Sequence, residues 1–329
     1  MTAKADSRTA LVIGATGSVG GAIAERLVAG GWRVRALNRN PQAAQAGCGL
    51  SGVEWVRGDA MVEAEVISAA QGCDLLVHGA NPPAYRNWAG LQMPMLASSM
   101  AAAKAAGARL VFPGTVYNYG PDAFPNLTEA SPQHPTTRKG AIRMRMEQAL
   151  AAAADDGLKV LIVRCGDFFA PRPVNSWLTQ GMVQPGKPIT SVRSPGPLEV
   201  AHSWAYLPDV AETVARLLEL PDLGGFEVFH MRGHTQTAAE LIAGLEAAAG
   251  RKLKVSQLPW FAIHAVAPFN ETFREMLEMR YLWNRPVLLD NAKLVTRLGA
   301  EPHTPLTEAL RAALIGAGAL PKAPEALAA

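Results

Sequence analysis

The sequence predicts a doubly wound α/β fold, in which a parallel sheet is covered by helices on both faces and a smaller lobe follows toward the C-terminus. Three observations predict it. Seven short apolar runs of β-rich composition, at residues 9–13, 32–38, 53–57, 75–79, 109–113, 159–164 and 226–231, are mostly separated by alanine-rich helical segments, an alternation that builds a parallel sheet with right-handed crossovers. The first run leads into Gly14, Gly17 and Gly20 and then a helix whose Val19, Ile23 and Leu27 recur on one face. Beyond about residue 166 proline, glycine and tryptophan become frequent, as in Ala170-Pro171-Arg172-Pro173 and Ser194-Pro195-Gly196-Pro197.

Composition narrows the class. Hydrophobic residues make up 49% of the 329 and charged residues only 18%, which suits a globular, enzyme-like chain rather than a disordered one. A net charge of +3 is too small to imply a polyanion, so no nucleic-acid partner is expected. Cys48, Cys73 and Cys165 are scattered without ligand spacing; no zinc site and no disulfide framework are expected, and a reducing compartment fits best. The polar N-terminus and the absence of a membrane-length apolar stretch point to a soluble cytoplasmic protein. Gly318 to Ala329 reads as a loosely held tail.

In chain order, Thr9 to Ile13 is a strand and Gly14 permits the tight turn out of it. Gly17 lets backbone approach a pyrophosphate, and Gly20 lets the helix pack closely on the sheet. The helix N-terminal amides face the phosphates, so Gly14, Thr16, Gly17, Ser18, Val19 and Gly20 form the expected cradle of a dinucleotide. After the second strand, Asn38 and Arg39 occupy the place where an NAD-preferring site usually offers a carboxylate to the adenosine ribose. Arg39 can pair with a 2′-phosphate instead, so NADP(H) is expected in preference to NAD(H). Asp59 and Ala60, after the third strand, are placed to meet the adenine, Asp59 being equally suited to cap a helix. Gly79, Ala80 and Asn81 end the fourth strand, where small residues let a cofactor pass close to backbone. The expected division is a dinucleotide-binding domain over residues 1–166 and a mixed region over 167–329. The latter is mainly a substrate lobe, with elements at about 200–235 returning to the first domain.

These residues, with Val111-Phe112-Pro113-Gly114-Thr115-Val116-Tyr117-Asn118-Tyr119-Gly120, Val163-Arg164-Cys165-Gly166-Asp167-Phe168-Phe169 and the segment His202 to Ala211, resemble the extended short-chain dehydrogenases/reductases. That group includes NAD(P)-dependent sugar-nucleotide epimerases and dehydratases. The resemblance covers about residues 9–312 and implies a Rossmann-type sheet with a smaller C-terminal substrate-binding lobe. In that family a Ser or Thr five residues before the Tyr-Gly glycine polarises the substrate oxygen, which assigns the role to Thr115. A Tyr about 25 residues later donates the proton, and a Lys four positions further on lowers its pKa and binds the nicotinamide ribose. Aligned on Glu147, Lys139 stands for that Tyr and Arg143 for that Lys.

The substitution changes the chemistry available, because a guanidinium stays charged and is not an ordinary general base. Two repairs are open: Lys139 as the acid when desolvated, or a phenol from Tyr117 or Tyr119. Lys139, Arg143 and Glu147 also lie at successive four-residue steps on a helix, where the two like charges call for Glu147 or a bound anion between them.

On the substrate side, Tyr119, Phe168, Asn175, Ser176, Trp177, Gln180, His202, Trp204 and Tyr206 are pocket candidates; for His202 a structural role is favoured over catalysis, and Asp209 is expected to cap a helix. Phe269, Phe273, Met276, Leu277, Met279 and Tyr281 recur at near-helical spacing and read as core. No basic cluster for a diphosphate is evident in the second lobe, unless Arg172, Lys187, Arg193, Arg274 and Arg280 converge. Three activities stay open. The first is an NAD(P)-dependent oxidoreductase at a carbonyl or hydroxyl carbon, the second an epimerase or dehydratase of a sugar or sugar nucleotide, and the third a non-catalytic NADP(H) sensor. Family members pair through two long helices, which implies a homodimer through Met93 to Ala106 and Gly140 to Asp155.

Overall fold

The computed structural model describes residues 8–82, 87–172 and 176–321. The first five strands are β1 (Thr9–Ile13), β2 (Arg33–Asn38), β3 (Val53–Arg57), β4 (Leu75–His78) and β5 (Arg109–Thr115), followed by the short β6 (Asn126–Leu127) and by β7 (Val160–Cys165). Next come β8 (Asp167–Phe169), β9 (Ser191–Ser194), β10 (Ala201–Tyr206), β11 (Phe226–His230), β12 (His234–Thr237), β13 (Lys254–Gln257) and β14 (Leu288–Leu289). The seven apolar runs expected from the sequence all join one parallel sheet, ordered β11-β7-β5-β4-β1-β2-β3. Strand order reverses between β1 and β4, and the crevice at their carboxyl ends is where such a sheet takes a ligand.

Both faces of the sheet are apolar, as a doubly covered parallel sheet requires. In β1, Ala10 and Val12 point into one core with Ile23 and Leu27 of α1 (Ser18–Ala29). Leu11 and Ile13 point into the other. Between β2 and β4 run α2 (Pro41–Gly47) and α3 (Glu63–Ala70); α4 (Trp88–Ala106) and α5 (Arg138–Asp155) flank β5. The second core takes Val66 of α3, Leu96 of α4 and Ile142 and Met146 of α5. The chain crosses back after β10, and Val210 and Val214 of α6 (Leu207–Leu218) complete the first core. β5 runs two residues beyond its apolar stretch because Gly114 and Thr115 still pair with Arg164 and Cys165 of β7. That extension brings Thr115 to the sheet's carboxyl edge.

The smaller lobe contains α7 (Ala238–Ala249), α8 (Trp260–Val266), α9 (Glu271–Glu278) and α11 (Leu306–Gly316), with small sheets β12-β10-β8, β13-β9 and β14-β6, while α10 (Ala292–Leu298) puts Leu294 into the first core. α7 starts on a capping box, Thr237 and Glu240 each bonding the other's backbone N–H, and stops at Gly250, whose φ of +66° suits glycine. A separate core gathers Trp177, Trp204, Trp283, Leu245 and Leu310. The stripe expected to be core is so at Met279, while Phe269 is 91% exposed, because it sits in a 3-10 turn between α8 and α9, off the helical face. The start of the expected loose tail is held: the Gly186 and Ile189 N–H groups donate to Ala317 O and Ala319 O. The rest of that tail, residues 322–329, lies outside the described residues. Among the described residues no helix is long and apolar enough to cross a membrane.

Candidate active site

Three of the cradle's glycines are there because three backbones meet. A Cβ on Gly14, whose φ is +85°, would lie 2.5 Å from Gly79 O; one on Gly20 would lie 2.4 Å from Gly14 O; one on Gly79 would lie 2.9 Å from Gly20 Cα. Gly17 differs, since a Cβ there would meet only Gly14 O, at 3.1 Å. It forms the N-cap of α1 without a capping side chain, and the first turn of α1 carries no acid. The helix amides are thus left to an anion. Gly14, Thr16, Gly17, Ser18 and Val19 line one wall of a cavity of about 420 Å³; Gly79, Ala80, Asn81, Thr115, Arg143 and Phe168 line others.

A neighbouring cavity of about 250 Å³ is bordered by Asn38, Arg39, Asp59, Ala60, Ala80 and Asn81, the residues expected around the adenosine. Asn38 Oδ1 accepts from the Asn40 N–H at 2.8 Å, Asp59 Oδ1 accepts from the Met61 N–H at 3.0 Å, and Arg39 is exposed at the rim. Glycine cradle, open helix terminus and paired cavities fit a dinucleotide.

At the other end of the larger cavity, Thr115 Oγ1 accepts from the Tyr117 N–H at 3.2 Å. The Arg143 guanidinium lies 5.3 Å from the ring centres of both Trp88 and Phe112, and its Nη1 reaches Pro113 O at 3.5 Å. Gly140, one turn earlier on α5, lets that helix press on the backbone at Tyr117, since a Cβ would come 2.2 Å from Tyr117 O. His78, which the sequence did not single out, also lines the cavity. Its Nδ1 is 2.7 Å from Ser99 Oγ, and that hydroxyl donates to Met95 O. His78 therefore donates through Nδ1 and keeps Nε2 as a lone pair. Burial, reinforced by Arg143, pushes its pKa down to about 3.

Asn81, Thr115, Arg143 and Phe168 also line a side compartment of about 110 Å³. Its other walls are Trp88, Tyr117, Asp167, Ser176, Trp177, Gln180, Gly181 and Met276. Asp167 Oδ2 accepts from His202 Nε2 at 2.7 Å. Asp167, Trp88 and Met276 were missed by sequence reasoning, as was His78.

Several expected site residues lie elsewhere. Lys139 is 1% exposed, with Nζ donating to Glu275 O at 2.7 Å and lying 2.8 Å from Glu275 Oε2 on α9; it lines neither cavity. Burial lowers its pKa and Glu275 opposes that shift. Tyr119 is fully buried, its hydroxyl accepting from Arg164 Nη1 at 2.7 Å and lying 3.0 Å from His230 Nε2. Burial raises its pKa. His202 packs 4.5 Å from the Trp283 ring and supports Asp167 from behind, and Trp204 and Tyr206 are in the lobe core. Asn175 lies outside the described residues.

Glu147 does not mediate between Lys139 and Arg143. It accepts from Arg164 Nε at 3.0 and 3.1 Å and from Gln133 at 3.1 Å, so each cation of the stripe is served separately. The five basic residues do not converge on the compartment either. Arg172 pairs with Glu25 at 2.9 Å, Arg280 stacks on Trp260, and Lys187 and Arg193 line a different surface cavity.

Residues 10–230 match the NAD dependent epimerase/dehydratase family, and the chain belongs to it as an enzyme of that class. Its fold is similar to UDP-glucose 4-epimerase from Bifidobacterium longum, solved with NAD+ and UDP, at 17% identity over 94% of this chain and 97% of that one, TM-score 0.70. The UDP-glucose-4-epimerase from Stenotrophomonas maltophila, solved with NAD and formylated UDP-arabinopyranose, is similar at 18% identity, 94% and 98% coverage and TM-score 0.71. A putative epimerase from Burkholderia cenocepacia is similar at 21% identity, 96% and 99% coverage and TM-score 0.71. Comparison with curated proteins finds no match.

The expected preference for NADP(H) is overturned by these comparisons, since the family is NAD dependent and the B. longum and S. maltophila structures carry NAD. The physical reason lies in the cavity that Asn38, Arg39 and Asp59 border. Arg39 shares it with the Asp59 carboxylate, which repels a 2′-phosphate, and the neutral Asn38 can serve ribose hydroxyls without any acid on that loop.

Proposed function

We propose that the chain holds NAD across the cavity at the glycine cradle and the neighbouring one bordered by Arg39 and Asp59, and acts as an epimerase or dehydratase on a sugar-like substrate. A hydroxyl-bearing carbon is oxidised transiently, and the reducing equivalents return before product leaves. One observation carries the reading: the glycine cradle, Thr115 and Arg143 border one cavity, and Thr115 and Arg143 border the side compartment as well. A bound nicotinamide supplies a two-electron acceptor at that boundary.

The chain's own residues do the rest. Thr115 Oγ1, oriented by the Tyr117 N–H, donates to the substrate oxygen. The Tyr117 phenol, a wall of the same compartment, moves the hydroxyl proton in place of the family's usual Tyr. Arg143 is a permanent cation that steadies negative charge on the reacting oxygen and meets the ribose. Lys139 takes no proton role, because its ammonium is committed to Glu275.

The test is incubation of the NAD-loaded protein with a panel of sugars, following product by chromatography and cofactor by absorbance. Isomerised or dehydrated product without net cofactor reduction is expected. Stoichiometric reduction would make the protein a net oxidoreductase, and cofactor binding without any product would make it a sensor. We also propose a homodimer through α4 and α5, with sedimentation at the monomer mass as the contrary result.

A further inference from the structure

We infer that the compartment beside Thr115 selects a free sugar or similarly small polyol and rejects nucleoside diphosphate sugars, with Asp167 as the selecting residue. This rests on the reading of the site as an NAD-dependent sugar enzyme.

Size is the first observation. The compartment measures about 110 Å³, against about 420 and 250 Å³ for the two cavities allotted to the dinucleotide. A nucleoside diphosphate sugar is nearly as large as a dinucleotide, and small-molecule sites generally run to roughly 300–1,000 Å³. A single sugar ring is the scale of ligand that suits this space.

Charge is the second. Among the described residues lining the compartment, Arg143 and Asp167 are the charged ones, so those residues together offer one cation and one acid where a diphosphate brings two negative charges. Arg143 is shared with the cofactor cavity and packs on the Trp88 and Phe112 rings. None of Arg172, Lys187, Arg193, Arg274 and Arg280 lines the compartment.

The third observation is how Asp167 is held. One carboxylate oxygen accepts from His202 Nε2 at 2.7 Å, and His202 Nδ1 is buried without a hydrogen-bond partner. The bond from His202 fixes the orientation of the Asp167 carboxyl group. Its other oxygen, Oδ1, makes no hydrogen bond with the described residues, and Asp167 is one of the residues that line the compartment. A carboxylate accepts from sugar hydroxyls and repels phosphate.

The experiment uses the full chain loaded with NAD. Glucose, galactose and sorbitol are compared with UDP, UDP-glucose and UDP-galactose for binding, by calorimetry, and for conversion. Conversion of a free sugar or polyol, with UDP and the UDP-sugars neither binding nor competing, is the expected result. Asp167→Asn should then lower kcat/KM by about ten-fold or more, chiefly through KM, and leave NAD affinity unchanged. Conversion of a UDP-sugar, or competition by UDP, would overturn the inference and leave the enzyme reading intact. Failure to bind NAD, or NAD binding with no conversion in either class, would overturn both.

Discussion

Gly17→Ala and Gly20→Ala put the same methyl group on neighbouring turns of the cradle, with different expected consequences. Gly17 has φ −86° and ψ 175°, extended backbone that alanine adopts freely, and its Cβ would meet only Gly14 O, at 3.1 Å. The fold should absorb it, with stability changing by less than about 1 kcal/mol. Gly17 also lines the cavity at the open end of α1, so the methyl stands between the helix amides and a pyrophosphate. Losing one charge-assisted hydrogen bond costs about 1.5–3 kcal/mol, or roughly 10- to 150-fold in Kd. At Gly20 the Cβ would lie 2.4 Å from Gly14 O and 2.8 Å from Gly14 C. Backbone must move there, costing about 1–3 kcal/mol or more of stability as well as affinity. Urea denaturation without cofactor and calorimetric titration with NAD separate the two effects. A folded Gly17→Ala variant that binds NAD as tightly as the unaltered chain would refute the placement of the pyrophosphate.

Lys139→Met should destabilise the protein by about 2–3 kcal/mol, less than full loss of a buried pair because Arg138 still serves Glu275; the folded variant should keep its turnover, and near-total loss of turnover would make Lys139 the acid. Thr115→Val should lower kcat about a hundred-fold with NAD affinity unchanged, whereas an unaltered rate removes Thr115 from the reaction. Burial, first, then Arg143 for His78 and Arg164 for His230, hold both histidines neutral with pKa values lowered to about 3. Their contribution to stability is complete above the ordinary histidine pKa near 6.5 and is lost as pH falls from there toward 3, because the unfolded chain takes up protons that the folded one refuses. Between pH 6.5 and 5 each should cost about 2 kcal/mol. A denaturation midpoint that is flat from pH 7 to 5 would contradict this.

The frame of the fold was legible because each buried strand writes a continuous apolar run and the first is punctuated by glycines that three touching backbones demand. Thr115 and Arg143 were singled out by the resemblance to the family's pattern, and both border the cradle cavity and the side compartment. Pairings over long sequence separations were not legible. Lys139 meets Glu275 from the other lobe, and Asp167 meets His202 across β8 and β10, so the first residue's occupation and the second's orientation depend on tertiary contacts. Tyr117 and Tyr119 are two residues apart, yet the 3-10 turn Val116–Asn118 leaves one in the compartment and buries the other against Arg164. The cofactor preference failed for a different reason: it was read from a missing acid, while Asp59, the acid that borders the same cavity as Arg39, stands on the next strand's loop.

A substrate carrying deuterium at the reacting carbon tests the central claim most directly, with the NAD-loaded protein and product analysed by mass spectrometry. Transient oxidation and return within one closed site predicts product that keeps its deuterium while no reduced cofactor accumulates. Deuterium appearing in released reduced cofactor, or product formed with the label lost to water, would contradict it.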